Sequence, residues 1–261
     1  MCYDVAYTAK ASELSTWVPE LIFDEDVQLL LDGTHIIGHD YREHPIIYKS
    51  RQDQKLHCRL MEWGCIPYYI KNEHAYLRQR AGMLNARSER ILEDKTSYWY
   101  EIRNRRCLIP VTGFYDHRGI KGWKKKVPYH IKLKNHEMFF IAGLYSVAEL
   151  PDTGTGEMIK RWTYTLITRP ANDIMRNIHN DGENKWRMPL MLPFEMSMEW
   201  LATELTVDRY KEILSFEMPD AELDYWPVWT IRTSKDRPDG KAKNVYFEWE
   251  KLPELGEANP D

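Results

Sequence analysis

The chain has 261 residues, 43% hydrophobic and 29% charged, which fits a globular protein with ample length to bury a core and argues against a disordered or fibrous chain. Net charge is −4, no run approaches the eighteen apolar residues of a membrane span, and the start MCYDVAYTAK lacks an apolar signal core, so a membrane protein is excluded and a cytosolic location is expected. The four cysteines (Cys2, Cys58, Cys65, Cys107) show no CxxC spacing, so neither a disulfide framework nor a metal knuckle is expected, and no cofactor.

In chain order, strands are expected at 2–6, 55–63, 107–111, 129–133, 138–145 and 161–168. The last of these, RWTYTLIT, alternates as a half-buried strand should. PDTGTGE at 151–157 and GIKGWKKK at 119–126 read as the loops of hairpins. Helices are expected within 11–31 and at 88–103, 171–178, 194–202 and 207–214, with Ser88 and Thr206 as N-caps. Strands dominate the middle without βαβ alternation. This predicts a single α+β domain over 2–250, its mixed and antiparallel sheets forming an open barrel-like core with peripheral helices. Residues 251–261 are acidic and proline-bearing and read as a disordered tail.

Charge is unevenly spread. Residues 103–134 hold ten Lys/Arg and one acid, Asp116, so this window carries +9 and the remainder −13. That asymmetry suggests a basic face for a polyanion, centred on Lys124, Lys125 and Lys126 at a hairpin tip. Ten Trp, 16 Tyr and 7 Phe supply core area and could supply stacking platforms for bases.

Cys2 carries chemistry of its own. Methionine aminopeptidases remove Met1 when residue 2 is small, leaving an α-amine and a thiol on adjacent carbons. With pKa values of about 8 and 8.5, both groups keep a reactive fraction near neutral pH. The amine condenses with an aldehyde and the thiol closes a thiazolidine.

Three downstream segments accompany Cys2. In LNARSER at 84–90, Asn85 offers a carboxamide, and Arg87 points to the same face of an extended segment, suited to a phosphate. In GFYDHRG at 113–119, Asp116 sits at an aromatic strand end, where partial desolvation suits acid–base work. In NIHNDGENKWRMPLML at 177–192, His179 closes a short helix before Arg187. Each feature alone has a commoner structural meaning; their joint occurrence does not.

Together these residues resemble the SRAP family, whose members respond to abasic sites in DNA. The resemblance runs through MC at the start, EWG with Pro67 at 62–67, LNARSE at 84–89, CLIPVTGFYDH at 107–117, FIAGLYS at 140–146, LITRPAN at 166–172, and IHN with RMPLML at 178–192. It implies that Cys2 is the crosslinking nucleophile and that Asn85 holds the N-terminal amine or the opened sugar. His179 would be the acid that helps open the deoxyribose ring. Asp116 stands where the family has a glutamate in proton transfer, and Asp4 where it often has a DNA-binding arginine. Arg87 would grip a flanking phosphate, and Trp63 with Pro67 would shape the strand's path. Arg187 and the three lysines would complete the DNA contacts.

The implied function is covalent capture of abasic sites in single-stranded DNA by a monomer, nucleoid-associated when bound to DNA, with weak lyase activity as a corollary of an imine intermediate. Two alternatives remain at the level of sequence. One is a cysteine peptidase, acting on itself or in trans, with Cys2 attacking amides and His179 as base. The other is a non-catalytic single-stranded DNA-binding module.

Overall fold

A computed structural model describes residues 2–8, 11–24 and 33–260. Met1 and the later part of the expected 11–31 helix lie outside the described residues. The first half of the chain gives β1 (Asp4–Tyr7), α1 (Ala11–Trp17), β2 (Ile22–Phe23), β3 (Gly33–Ile37), β4 (Glu43–Lys49), β5 (Leu56–Trp63), α2 (Glu73–Leu77), β6 (Asn85–Arg87), α3 (Glu89–Leu92), α4 (Tyr98–Glu101), β7 (Arg106–Val111) and β8 (Gly113–Arg118). The second gives β9 (Val127–Leu133), β10 (Phe139–Pro151), β11 (Met158–Pro170), α5 (Asp173–Ile178), β12 (Arg187–Pro189), β13 (Met191–Leu192), α6 (Phe194–Trp200), α7 (Val207–Ser215) and β14 (Leu223–Pro227).

The fold is α+β with a barrel at its centre. Strands β11, β10, β7, β4 and β5 pair in that order, and a parallel pairing of Thr163 with Glu62 and Tyr164 with Trp63 joins β11 back to β5. The barrel is thereby closed rather than open. A second sheet, in the order β14-β9-β8-β1-β3, carries the N-terminal strand. Neighbouring residues of the barrel strands serve two cores. Ile46, Ile109 and Tyr164 pack with Cys2 and the second sheet, whereas Ile47, Leu108 and Ile167 pack beneath α3, α4, α6 and α7. This two-sided burial explains two departures from the sequence reading. The run HPIIY in β4 is buried throughout and shows no alternation to find. The alternating residues of β11 do not face water, since Thr163, Thr165 and Thr168 are all buried; Thr163, for one, bonds through its hydroxyl with the Ser146 carbonyl and the Ile66 amide.

The helix expected at 88–103 is two short helices. Asp94 accepts from Thr96 and Ser97 caps α4, so the chain turns where polar side chains compete for the backbone. Ser88 is already helical in φ and ψ and makes no side-chain cap bond, while Thr206 caps α7 by accepting from the Arg209 amide. Residues 252–260 are not a free tail: Leu252 and Leu255 pack against the core that contains Cys2. The buried Arg118 guanidinium donates to the carbonyls of Pro253, Glu254 and Glu257. An acidic composition suggested disorder, but these contacts use backbone carbonyls, which composition does not register.

Candidate active site around Cys2

The N-terminal strand delivers Cys2. Pairing of β1 with β8 sets Asp4 opposite Tyr115 and so brings the residues before Asp4 alongside Asp116. Cys2 is 1% exposed, and its thiol donates to the Asp4 carbonyl at 3.6 Å. Burial, helped by the charge of Asp116, pushes the thiol pKa far above its ordinary value.

Asp116 is buried near the end of β8. Its Oδ1 accepts from the His117 amide at 2.8 Å, and its Oδ2 has no hydrogen-bond partner among the described residues. That free oxygen lies 3.9 Å from His179 Nδ1. His179 ends α5 and is held by the Arg187 main chain, with Nδ1 3.0 Å from the carbonyl and 3.2 Å from the amide. Burial lowers the His179 pKa against the opposing pull of Asp116. Asn85 stands on β6, which pairs with β11 on the side opposite β12, directly after Leu84 of the core that contains Cys2. It is 6% exposed, and both amide atoms are unpartnered among the described residues. Buried polar atoms are normally paired; Asn85 and Asp116 together keep three acceptor or donor positions for something else.

The expected DNA contacts divide. Arg87 is exposed and donates to Asn184 at 2.7 Å. Lys124 and Lys125 are exposed on the loop between β8 and β9, and Lys126 pairs with Asp181 at 3.0 Å, which fixes that loop beside the His179 segment. The other two features are internal. Trp63 is 1% exposed, donates from Nε1 to the Leu84 carbonyl and stacks on Tyr164; its ring is close enough to Gly38 that a Cβ there would sit 3.3 Å from three ring atoms. Pro67 is also buried, so both can shape a strand's path only from beneath. Arg187 is 8% exposed and forked onto Glu89, with a further bond to the Thr168 carbonyl at 2.7 Å. It is a structural tie, not a phosphate ligand. The basic window shrinks likewise, because Arg106 and Arg118 are spent on backbone carbonyls.

Sequence reading missed two features. Tyr68 and Tyr69, directly after Pro67, are about half exposed and present the aromatic surface expected of Trp63; the dipeptide YY was the available signal. Asp4 is not a bare negative charge. Its carboxylate accepts from Arg232 through Nε at 2.9 Å and a terminal nitrogen at 2.7 Å, and faces His35 Nε2 at 2.8 Å. Burial works to raise the Asp4 pKa, but these partners outweigh it and hold it below the usual carboxylate value. Arg232 thus supplies a cation beside the site, where Asp4 alone would repel phosphate. Among the described residues no group of three or more His, Cys, Asp or Glu side chains is placed to hold a metal ion, and no helix is long and apolar enough to cross a membrane.

Known proteins match both the fold and the sequence. The family model "SOS response associated peptidase (SRAP)" matches residues 1–231. The abasic site processing protein YoqW of Bacillus subtilis is 34% identical over 174 residues, covering 67% of this chain and 70% of its own length. The abasic site processing protein YMR114C of Saccharomyces cerevisiae is 27% identical over 195 residues, covering 72% of this chain but 48% of the yeast protein. A crystal structure of a protein from Bacteroides thetaiotaomicron superposes with a TM-score of 0.74 at 27% identity, over 94% of this chain and 97% of that one. With the family model spanning residues 1–231, most of its length, the chain belongs to the SOS response associated peptidase (SRAP) family.

Proposed function

We propose that this protein captures abasic sites in single-stranded DNA as a covalent thiazolidine on Cys2, exposed as the N-terminal residue by removal of Met1. The observation that carries the proposal is the Asp116 carboxylate acting on Cys2 with the His179 imidazole 3.9 Å from it, and it is supported by the buried Asn85 carboxamide, whose donor and acceptor are both unused among the described residues.

The geometry divides the labour. An abasic sugar exposes its C1′ aldehyde only when the ring opens, and His179 Nε2 serves that step as the proton donor to the ring oxygen. The donor is the imidazolium, with protons on both ring nitrogens, and Asp116, facing Nδ1, stabilises it in the manner of a carboxylate behind a catalytic histidine. The Cys2 amine adds to C1′ and water leaves, giving an imine. The sulfur then adds to the same carbon while the thiol proton passes to the imine nitrogen, so the net reaction is aldehyde plus aminothiol to thiazolidine plus water. Asp116 Oδ2 is placed to relay that proton, which matters because burial holds the thiol protonated. Asn85 supplies a donor and an acceptor to the opened sugar. Arg87, Arg232 and the 124–126 lysines surround this centre with positive charge for the flanking phosphates.

The peptidase alternative lacks the activated thiolate it would need. The Cys2 thiol bonds to the Asp4 carbonyl and burial drives its pKa up, whereas a nucleophilic protease cysteine is paired with an imidazolium and has its pKa driven down.

Intact-mass measurement tests the proposal. Processed protein mixed with an oligonucleotide bearing one abasic site should gain the mass of the DNA less one water, and Cys2→Ala should gain nothing. Wild-type protein with Met1 removed that forms no adduct would overturn it.

A further inference from the structure

The segment that follows the family-matched region returns to the site and touches both elements that carry the proton-transfer pair. On one side is Arg118, two residues past Asp116 in β8 and fully buried. Its guanidinium donates to the carbonyls of Pro253 at 2.9 Å, Glu254 at 2.6 Å and Glu257 at 2.7 Å. On the other side is Asn180, which follows His179 directly. Its Oδ1 accepts from the Gly119 amide at 2.7 Å, while its Nδ2 donates to the Gly119 carbonyl at 3.0 Å and to Asn259 Oδ1 at 2.9 Å. Asn259 donates in turn to Asn177 in α5 at 2.9 Å, and the Lys121 amide donates to the Ala258 carbonyl at 2.7 Å. The junction is closely packed as well as bonded: a Cβ on Gly119 would lie 2.9 Å from both Asp181 Cβ and Pro260 Cγ.

We propose that residues 252–260 form a positioning strap that ties β8 to the loop between α5 and β12, through Arg118, Asn180 and Asn259, and thereby sets Asp116 and His179 at their working separation. The chemistry the strap serves rests on the abasic-site reading above; the geometry it sets does not. Past Tyr115, where the pairing with β1 ends, β8 is held in the sheet by β9 alone, and His179 ends a six-residue helix before a loop that passes through positive φ at Gly182 and Trp186. Without the strap, the buried Arg118 fork loses three acceptors and must reorient, and Asn180 keeps only its bonds to Gly119. The 3.9 Å gap between Asp116 and His179 already exceeds a hydrogen bond, so a further displacement of about 1 Å moves the pair out of useful range.

The groups acting on His179 include Asp116 from β8, the N-terminal amine, the Arg187 main chain from β12 and Lys126 from the 119–126 loop, with Asp181 neutralising Lys126. Freeing the loop admits water to the imidazole and separates it from Asp116. Burial is the larger of these two influences on its pKa, so its titration moves up toward the ordinary value.

The test uses the processed full chain, a truncation after Glu250 and the single change Asn259→Ala. At saturating abasic oligonucleotide, the truncation should slow adduct formation about 10-fold or more, and Asn259→Ala a few-fold. Kd for an undamaged oligonucleotide should stay within about 3-fold, since the strap itself presents no cation to DNA and the truncation removes a single lysine, Lys251, along with three acids. NMR titration should show the His179 imidazole shifted upward in the truncation, and a synthetic peptide of residues 251–261 should restore both rate and titration. Unchanged rate and unchanged titration in the truncation would overturn the proposal, and if the truncation does not fold, the same result in Asn259→Ala overturns it. Should the full chain form no adduct, the abasic-site reading fails, and the NMR titration still decides the strap.

Discussion

Two buried polar clusters in this molecule are built on opposite plans. Around Glu62, every charge has a partner: its carboxylate accepts from Arg80 at 2.5 Å and from Arg161 at 2.7 and 2.5 Å, and Arg161 also reaches Glu73 at 3.0 Å. Burial acts to raise the Glu62 pKa, but Arg161 and then Arg80 more than reverse it. In the second cluster Asn85 keeps both amide atoms and Asp116 one oxygen unpartnered among the described residues, and burial with the Asp116 charge raises the Cys2 thiol pKa over the weaker lowering pull of the N-terminal amine. A buried polar atom without a partner costs about 1–3 kcal/mol, and that cost persists where a ligand supplies the missing contacts. The first cluster holds the hairpin of β10 and β11 in place; the second is shaped to receive something.

Unpartnered atoms also occur where no ligand can reach, and these define the largest expected effect. His44 lies between Tyr7 and Tyr164, and His130 between Tyr115 and Trp226. Both are buried; the ring nitrogens of His130 are unpartnered among the described residues, and His44 has only the Pro110 main chain beside it. Burial lowers His44 to about 4, and burial with a smaller push from Lys132 lowers His130 to about 3. The unfolded chain takes up these protons near pH 6.5 while the folded protein does not. Their contribution is therefore fully present above pH 6.5 and is lost as pH falls toward 4, at about 1.4 kcal/mol per pH unit for each histidine. Urea melts across pH 7 to 4 should show this slope, and His44→Phe should remove about half of it. An unaltered slope would mean that His44 reaches solvent, and would erase the distinction between sealed and receptive orphans.

The contrast between the two clusters sharpens with a pair of substitutions. Glu62→Ala strands the Arg80 guanidinium and leaves Arg161 only Glu73, and should cost about 2–3 kcal/mol, lowering Tm by roughly 5–10 °C, with little change in adduct rate per folded molecule. Asn85→Ala removes no hydrogen bond present in the free protein, so Tm should hold within about 2 °C while adduct formation falls about 100-fold. Calorimetry on both variants with the mass assay beside it decides this. A large loss of Tm in Asn85→Ala would show that its amide is paired in the free protein and that the site is not preorganised for a ligand.

How far the sequence reached follows the same division. The grouping of Cys2, Asp116 and His179 is legible because reactive groups announce themselves by type and by family motif, and the strands of the barrel because β-rich runs between turn residues are local signals. What a side chain faces is not local. Trp63 and Arg187 read as DNA contacts because an indole or a guanidinium has the same letter inside or outside; Arg187 finds Glu89 98 positions away, and Trp63 meets Tyr164 across the pairing that closes the barrel. The strap was missed for a related reason. Its acceptors are main-chain carbonyls, which every residue carries, and its donor Arg118 stands in a basic window where one more cation looked like surface. Arg232 gave the converse case, since Asp4 read as repulsive until its partner 228 residues on was placed.

The smallest effect bears on Asp116 itself. The 3.9 Å between its Oδ2 and His179 Nδ1 is too long for a hydrogen bond, and one more methylene would advance the carboxylate by about 1–1.5 Å. That brings the separation to about 2.4–2.9 Å, the range of a charge-assisted bond to an imidazolium. Asp116→Glu should therefore speed adduct formation, by about 10-fold if the imidazolium gains one such bond worth roughly 1.4 kcal/mol in the rate-limiting step. The same bond should raise the His179 pKa above its present depressed value, so the limb of the pH–rate profile set by His179 moves to higher pH. Faster reaction with that upward shift supports the proton-relay assignment. A slower variant with an unmoved limb would show that the shorter aspartate is already matched to this site, and would return the receptive character of the cluster to Asn85 alone.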